Sequence, residues 1–122
     1  MKVLIVDDHH LNIKVTDILL RKSFGEIQID SAENGQVAVG KARKEKYNFI
    51  LMDINMPVMD GVTAAALIKD KDSSQVVVAV TAENLDRIKE LYDELLFDHI
   101  FQKPVNSQNF SEVLKPLLVA KN

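Results

Sequence analysis

The sequence predicts a single α/β domain in which helices cover both faces of a parallel sheet. Three observations predict this class: short apolar runs alternate with amphipathic segments, three of the runs are continuously apolar, and 122 residues fit one domain. Continuous apolar runs are typical of strands buried on both faces. We therefore expect a doubly wound (βα)5 domain over residues 1–122, with five parallel strands and five helices.

Each element has its own signal in the sequence. The predicted strands are the apolar runs Val3–Val6, Ile27–Ile29, Phe49–Met52, Val76–Val80 and Ile100–Phe101. The predicted helices have apolar residues at helical spacing and cover Leu11–Leu19 with an end at Gly25, Gln36–Lys46, Gly61–Lys69, Leu85–Leu95 and Phe110–Leu118. Pro116 falls inside the last of these patterns, where its missing N–H predicts a kink or an end of the helix.

Composition and charge exclude several classes of protein. A net charge of -3 argues against direct contact with nucleic acid, which favours a basic surface. The absence of cysteine excludes disulfides and thiolate chemistry, and fits a reducing compartment. No signal peptide and no apolar stretch of about 20 residues is present, so no membrane contact is expected. We expect a cytoplasmic protein.

Chemically reactive side chains stand where the predicted strands end. Asp53 ends the third strand, the pair Asp7 and Asp8 follows the first, Thr81 follows the fourth, and Lys103 follows the fifth. Parallel sheets of this kind bind ligands at the carboxyl ends of their strands, so one pocket could hold all five side chains.

This set of side chains suits a phosphoryl group held beside a divalent metal. Three neighbouring carboxylates repel one another unless a cation joins them, and oxygen ligands favour Mg²⁺. Lys103 offers a positive charge for a phosphoryl oxygen, and Thr81 offers a hydroxyl donor. An aspartate such as Asp53 can attack phosphorus to give a labile aspartyl phosphate.

Four motifs, in this order and spacing, resemble the receiver domain of two-component response regulators. They are Val-Asp-Asp at 6–8, the block from Leu51 to Gly61 around Asp53, Val-Thr-Ala at 80–82 and Lys-Pro at 103–104. The resemblance extends from Lys2 to about Leu118. It implies a flavodoxin-like sheet order of 2-1-3-4-5, an order that the chemotaxis regulators of this family exemplify.

The resemblance also implies metal and phosphoryl roles for individual residues. Asp53 matches the phospho-acceptor and a metal ligand, Asp8 the direct Mg²⁺ ligand, and Asp7 the acid that acts through a bound water. Asn55 matches the residue whose backbone carbonyl binds the metal. Gly61 matches a residue that supports the turn into the third helix.

A second group of residues matches the family's switch. Lys103 matches the lysine that contacts a phosphoryl oxygen, and its bond to Pro104 is implied to be cis. Thr81 matches the hydroxyl that moves to the phosphate, and Ala82 the small residue that leaves access to it. Ile100 occupies the position that is usually aromatic, so the aromatic half of the switch is absent.

The function implied is phosphoryl transfer from a phosphohistidine onto Asp53, followed by a conformational signal. The implied partners are a sensor histidine kinase or a histidine phosphotransfer protein, while the downstream partner stays open. The chain is then a phospho-acceptor with only self-phosphorylation and autodephosphorylation chemistry. It fits a standalone regulator or a receiver cut from a hybrid histidine kinase.

Two other functions compete with this interpretation. A haloacid-dehalogenase-type phosphohydrolase also forms an aspartyl phosphate, but it needs a second acid two residues after the nucleophile, where Asn55 stands. A flavodoxin-like module for a nucleotide or flavin needs a Gly- or hydroxyl-rich loop after the first strand. The sequence there is Asp7-Asp8-His9-His10, which repels phosphate without a metal.

Other polar and sulfur-containing residues receive ordinary structural interpretations. His9, His10 and His99 are expected to be loop residues, and Asp60 a turn or cap residue. We expect the acids of Asp70–Asp72 in a solvated loop, and the methionines Met52, Met56 and Met59 in packing roles.

Overall fold

Five parallel strands form one sheet at the centre of the molecule. The computed structural model describes residues 1–56, 59–84, 86 and 96–121. The strands are β1 (Lys2–Val6), β2 (Gln28–Ala32), β3 (Phe49–Asp53), β4 (Val77–Thr81) and β5 (His99–Gln102), in the order β2-β1-β3-β4-β5. The predicted fold class and the strand order implied by the family resemblance are both confirmed.

Helices lie on both faces of this sheet. They are α1 (His10–Phe24), α2 (Gly35–Lys44), α3 (Gly61–Lys71) and, at the carboxyl end, α4 (Ser107–Lys121). Helices α1 and α4 contact each other on one face, and α2 and α3 do so on the other. The helix predicted over Leu85–Leu95 lies outside the described residues except at Asp86. None of the described helices is long and apolar enough to cross a membrane.

Alternate residues of the central strands point into two separate cores. In β1, Leu4 and Val6 belong to the core on the α2–α3 face, whereas Val3 and Ile5 belong to the core on the α1–α4 face. All five residues of β3 are buried. A strand covered on both faces needs apolar residues at every position, which is why β1 and β3 are readable as continuous runs.

Short side chains cap the starts of α2 and α3. Asn34 accepts a hydrogen bond from Val37 N at 2.9 Å at the start of α2. Asp60 accepts one from Thr63 N at 2.8 Å at the start of α3, as the sequence predicted for a cap residue. Each cap satisfies a backbone donor that has no partner within its helix, and so fixes where the loop ends.

The two edge strands are longer than predicted. β2 covers 28–32 rather than 27–29, and β5 covers 99–102 rather than 100–101. Their added residues include Asp30, whose carboxylate accepts a hydrogen bond from the Tyr47 hydroxyl, and the exposed Ser31 and Gln102. Edge strands face water along part of their length, so polar residues interrupt the apolar signal.

Several smaller predictions need correction. His10 begins α1 and His99 begins β5, so neither is a loop residue. Asp70 lies in the last turn of α3 rather than in a loop, since the helix extends to Lys71. Helix α4 also continues through Pro116 to Lys121, so of the predicted kink or end the end does not occur. Leu114 and Leu118 are buried on either side of the proline, and this packing favours continuation of the helix.

Candidate functional site

The strand order brings the predicted polar residues to one edge of the sheet. Asp7 directly follows β1, Asp53 is the last residue of β3, Thr81 is the last residue of β4, and Lys103 directly follows β5. The register pairs Asp53 with Val80, so the two strand ends lie side by side. Strand β1 lies next to β3, and β5 lies next to β4. The four residues therefore converge because their strands are parallel and in register.

The ammonium group of Lys103 lies close to two acids of the site, Asp7 and Asp53. Its ammonium nitrogen lies 3.6 Å from Asp7 Oδ2 and 3.8 Å from Asp53 Oδ2. The side chains of Asp7 and Asp53 are only 8% and 10% exposed. Lys103 N also donates to the Thr81 carbonyl oxygen at 2.7 Å, which holds the lysine beside the end of β4. Two shielded carboxylates thus share one cation at the sheet edge.

The electrostatic environment of Asp53 disfavours its negative charge. Burial raises the pKa of the Asp53 carboxyl above its ordinary value; Lys103 opposes this shift, and Asp7 reinforces it. The backbone N–H of Asn55 donates to Asp53 Oδ1 at 3.2 Å and also opposes the shift, whereas Asp8 adds to it. One oxygen of Asp53 is thus hydrogen-bonded, and the other faces Lys103.

Asp8 has an oxygen atom that suits a cation. Asp8 Oδ1 is buried and has no hydrogen-bond partner among the described residues. A carboxylate oxygen shielded from water in this way is costly unless another group compensates its charge. Asp7, Asp8 and His9 each offer one ligand atom, and these atoms lie within 4.8 Å of one another. The donor set and the buried Asp8 oxygen, which accepts no hydrogen bond from the described residues, both fit a divalent metal ion.

A hydrogen bond between side chains joins the loop after β3 to the loop after β4. The buried Thr81 hydroxyl accepts a hydrogen bond from Glu83 N at 3.1 Å. The Asn55 side chain donates from Nδ2 to Glu83 Oε1 at 3.1 Å. Ala82, between Thr81 and Glu83, is exposed and has no side chain beyond Cβ to cover the site. Sequence reasoning assigned Asn55 only its carbonyl and missed Glu83, although an acid two residues after Thr81 was a visible signal.

Two supporting residues have the geometry that the resemblance implied. The Lys103–Pro104 peptide bond is cis. Gly61 N donates to the Ile54 carbonyl at 2.9 Å, and a Cβ on Gly61 would collide with the carbonyl oxygen of Asp53. Only glycine therefore lets α3 begin against the end of β3 without displacing the backbone of Asp53.

Ile100 lies within a strand and not at a strand end. It lies in β5 opposite Ala79 and packs, half-buried, against the core on the α2–α3 face. The polar residues at the sheet edge come instead from strand ends. The register pairs Thr81 with Gln102, two residues beyond Ile100, so Ile100 and Thr81 lie on the same face of the sheet in neighbouring strands.

His9 is closer to the acids than expected of an ordinary loop residue. Its Nδ1 atom lies 3.0 Å from Asp8 Oδ1 and 3.5 Å from Asp7 Oδ1. His10 points elsewhere, with Nε2 3.5 Å from Glu33 Oε1. The sequence could not separate the two histidines, because the direction of each ring depends on the local fold.

A groove opens beside Lys103 on the α1 side of the sheet edge. Among its lining residues are Val15 and Leu19 of α1 and the segment Lys103–Val105. Along the same helix, Leu11, Val15 and Ile18 are 73%, 48% and 65% exposed. Exposed apolar residues at spacings of four and three lie on one side of a helix, so this surface is available to a partner.

Comparison with known proteins gives a consistent result. The family model "Response regulator receiver domain" matches residues 3–115. Two-component response regulator ORR41 of Oryza sativa subsp. japonica is 31% identical over 122 residues, which cover 98% of this chain and 96% of the rice protein. A protein-glutamate methylesterase/protein-glutamine glutaminase of Archaeoglobus fulgidus is 49% identical over 79 residues, or 64% of this chain but only 22% of that protein.

Solved structures of similar shape include a magnesium-bound receiver. The receiver domain of the sensor histidine kinase PA1611 from Pseudomonas aeruginosa PAO1, with a magnesium ion coordinated in its active-site cleft, superposes with a TM-score of 0.87. It is 25% identical, and the match covers 97% of each chain. With the strand order 2-1-3-4-5 and the family match over residues 3–115, the chain belongs to the response regulator receiver domains of two-component phosphorelay signalling.

Proposed function

We propose that the whole chain, residues 1–122, acts as one receiver domain that accepts a phosphoryl group on Asp53. The observation that carries this proposal is the contact between Asp53 Oδ2 and the Lys103 ammonium at 3.8 Å. A carboxylate in a shielded position is a better nucleophile than a fully hydrated one, and Lys103 opposes the rise in the pKa of Asp53 that burial causes.

The transfer step is a displacement at phosphorus. A carboxylate oxygen of Asp53 forms the new O–P bond, the P–N bond of a phosphohistidine breaks, and the imidazole leaves as its nitrogen takes up a proton. Lys103 pairs with a phosphoryl oxygen, and the Thr81 hydroxyl donates to another. Ala82 leaves the approach to Asp53 open. The product is an acyl phosphate, which water can later hydrolyse.

Mg²⁺ is the proposed cofactor. Asp8 and Asp53 would supply carboxylate oxygens to the ion, Asn55 would supply its backbone carbonyl, and Asp7 would act through a water. The oxygen atoms of these four residues, and a buried Asp8 Oδ1 that accepts no hydrogen bond from the described residues, support this choice. When bound, the ion offsets the charge that gathers on the acids and the phosphoryl oxygens. The solved receiver of PA1611 carries magnesium in its active-site cleft.

A sensor histidine kinase or a histidine phosphotransfer protein is the proposed donor, in the cytoplasm. The exposed apolar side chains of α1 and the groove beside Lys103 support docking on this side of Asp53. The chain acts as a signalling domain, and its chemistry is limited to self-phosphorylation and autodephosphorylation. The comparisons give no support to the haloacid-dehalogenase alternative, and the Asn55 amide stands where that chemistry needs an acid.

Intact-mass measurement after incubation with acetyl phosphate and Mg²⁺ tests the proposal. Wild type should gain roughly 80 Da, one phosphoryl group, while Asp53→Asn and chelated wild type should gain nothing. Asp60→Asn is a matched control, because asparagine also caps a helix and Asp60 is exposed. An undiminished adduct in Asp53→Asn would overturn the assignment.

A further inference from the structure

His9 occupies the N-cap position of α1, but its side chain does not cap the helix. Residues favoured at this position are serine, threonine, aspartate and asparagine, whose short side chains reach the helix N–H groups. The His9 backbone N–H donates to Asp7 Oδ1 at 3.0 Å, which fixes the residue beside the acid pair. The imidazole is therefore held near the carboxylates and contributes nothing to capping the helix.

The ring nitrogen lies at the spacing that ligands of one metal ion have. With metal–ligand bonds of about 2.1 Å, neighbouring ligand atoms are separated by about 3.0 Å in an octahedron and about 3.4 Å in a tetrahedron. His9 Nδ1 is 3.0 Å from Asp8 Oδ1 and 3.5 Å from Asp7 Oδ1. Asp8 Oδ1 is the same buried oxygen that has no hydrogen-bond partner among the described residues.

We propose that His9 Nδ1 and the carboxylates of Asp8 and Asp7 together bind a borderline transition-metal ion such as Zn²⁺. This inference rests on the proposed function only in taking the acid pair as a metal site. It adds a nitrogen ligand that the Mg²⁺ site does not use. Because Asp8 belongs to both sets of ligands, bound Zn²⁺ should weaken the binding of Mg²⁺.

The ligand chemistry predicts which ions respond to His9. Imidazole nitrogen suits zinc, copper and nickel, whereas carboxylate, carbonyl and water oxygens suit magnesium. Mg²⁺ affinity therefore depends on the acids alone, and Zn²⁺ affinity depends on His9 as well. The chain contains no cysteine and only three histidines, so few other side chains compete for zinc.

Calorimetric titration of the metal-free protein with Zn²⁺ and, separately, with Mg²⁺ tests this site. His9→Ala should weaken Zn²⁺ binding about tenfold or more, since even residues that only support a ligand contribute 10- to 100-fold. Its Mg²⁺ affinity should stay within about twofold of wild type, because magnesium does not need imidazole. His10→Ala is the matched control and should bind both ions as wild type does, since His10 faces Glu33. Equal loss of zinc in both variants, or no loss in His9→Ala, would overturn the proposal.

Nitrogen NMR of the imidazole rings provides a second readout that does not depend on phosphorylation. Zn²⁺ should shift the Nδ1 resonance of His9 and leave those of His10 and His99 near their metal-free positions. An unshifted His9 resonance at saturating Zn²⁺ would also overturn the proposal. Failure of wild type to bind Mg²⁺ would instead contradict the proposed function, so the two failures are distinguishable.

Discussion

The ammonium nitrogen of Lys103 lies 3.8 Å from Asp53 Oδ2, in a position where the Asp53 side chain is only 10% exposed. The same nitrogen also lies 3.6 Å from Asp7 Oδ2. Asp8 adds a third acid to this edge, so the metal-free site has more negative than positive charge among the residues that the structure describes. A bound cation, or the loss of one acid, should therefore stabilise the folded protein.

We expect Asp53→Asn to stabilise the metal-free protein at pH 7, by about 1 kcal/mol in the free energy of unfolding. Because the pKa of Asp53 is raised in the folded state, the folded protein binds a proton there more readily than the unfolded chain. The stability of wild type thus falls as pH rises from the ordinary value of 3.8 through the folded pKa, and it stays lower above that window.

Urea unfolding in a chelator, at pH 7 and near pH 3, checks this prediction. The gain from Asp53→Asn should vanish at the lower pH, where wild-type Asp53 is also neutral. Asp70→Asn removes one acid from the exposed side of α3 and should change stability little at either pH. A destabilised Asp53→Asn at pH 7 would show that the contact with Lys103 outweighs burial.

Replacing Gly61 with alanine should destabilise the protein by about 1–3 kcal/mol, the usual cost of overpacking. The added Cβ would collide with the Asp53 carbonyl oxygen and lie 2.9 Å from Ile54 Cα, and neither backbone atom can move without shifting the end of β3. Thermal or urea unfolding measures the loss.

Gly40→Ala is the matched control for this substitution. A Cβ at Gly40 meets nothing within 4 Å, and the residue lies inside α2, so alanine should stabilise by roughly 0.5–1 kcal/mol. Equal effects of the two substitutions would contradict the importance of the close approach at Gly61.

The sequence predicted the centre of the fold and of the site better than their edges. Strands β1, β3 and β4 are buried on both faces, so their apolar runs are nearly continuous. Asp7, Asp53 and Lys103 were predicted together because parallel strands end at a common edge. That argument needs only strand positions, not side-chain conformations.

Contacts between loops were beyond prediction from sequence. The hydrogen bond from Asn55 to Glu83 and the approach of His9 to Asp8 depend on loop conformation and on rotamers. The continuation of α4 through Pro116 is a further feature that the sequence alone did not predict. Local propensity predicted a kink or an end there, but the helix does not end, because the residues on both sides are buried, which is a tertiary effect.

Substituting the exposed apolar residues of α1 should impair transfer from a protein donor. Leu11→Asp and Ile18→Asp should each slow transfer from a phosphohistidine protein by at least about tenfold, because an apolar anchor at an interface commonly contributes more than 1 kcal/mol. Labelling by acetyl phosphate should not change, since both side chains are exposed on the surface of α1 and Asp53 is buried.

Leu67→Asp is the control for these variants. Leu67 is 39% exposed and lies on α3, on the opposite face of the sheet. Phosphate transfer followed by gel electrophoresis or intact mass measures all three variants. If Leu67→Asp slowed transfer as much as Ile18→Asp, the docking surface would not be specific to α1.

Activation should change the loop after β4 more than the main chain of β5. In the structure the Thr81 hydroxyl accepts a hydrogen bond from Glu83 N, so its turn toward a phosphoryl group would break that bond and move Ala82–Asn84. Ile100 has no aromatic ring that could turn inward after the Thr81 hydroxyl moves. Its β-branched side chain has few rotamers, so the contacts of β5 should differ little between the unphosphorylated and the phosphorylated state.

Backbone NMR shifts with and without a phosphoryl analogue should be larger at Ala82–Asn84 than at Ile100–Gln102, and Thr81→Ala should reduce the shifts at Ala82–Asn84. Ile100→Tyr provides the reverse change and should enlarge the shifts in β5; shifts of equal size at both segments in wild type would show that the missing aromatic residue has no effect.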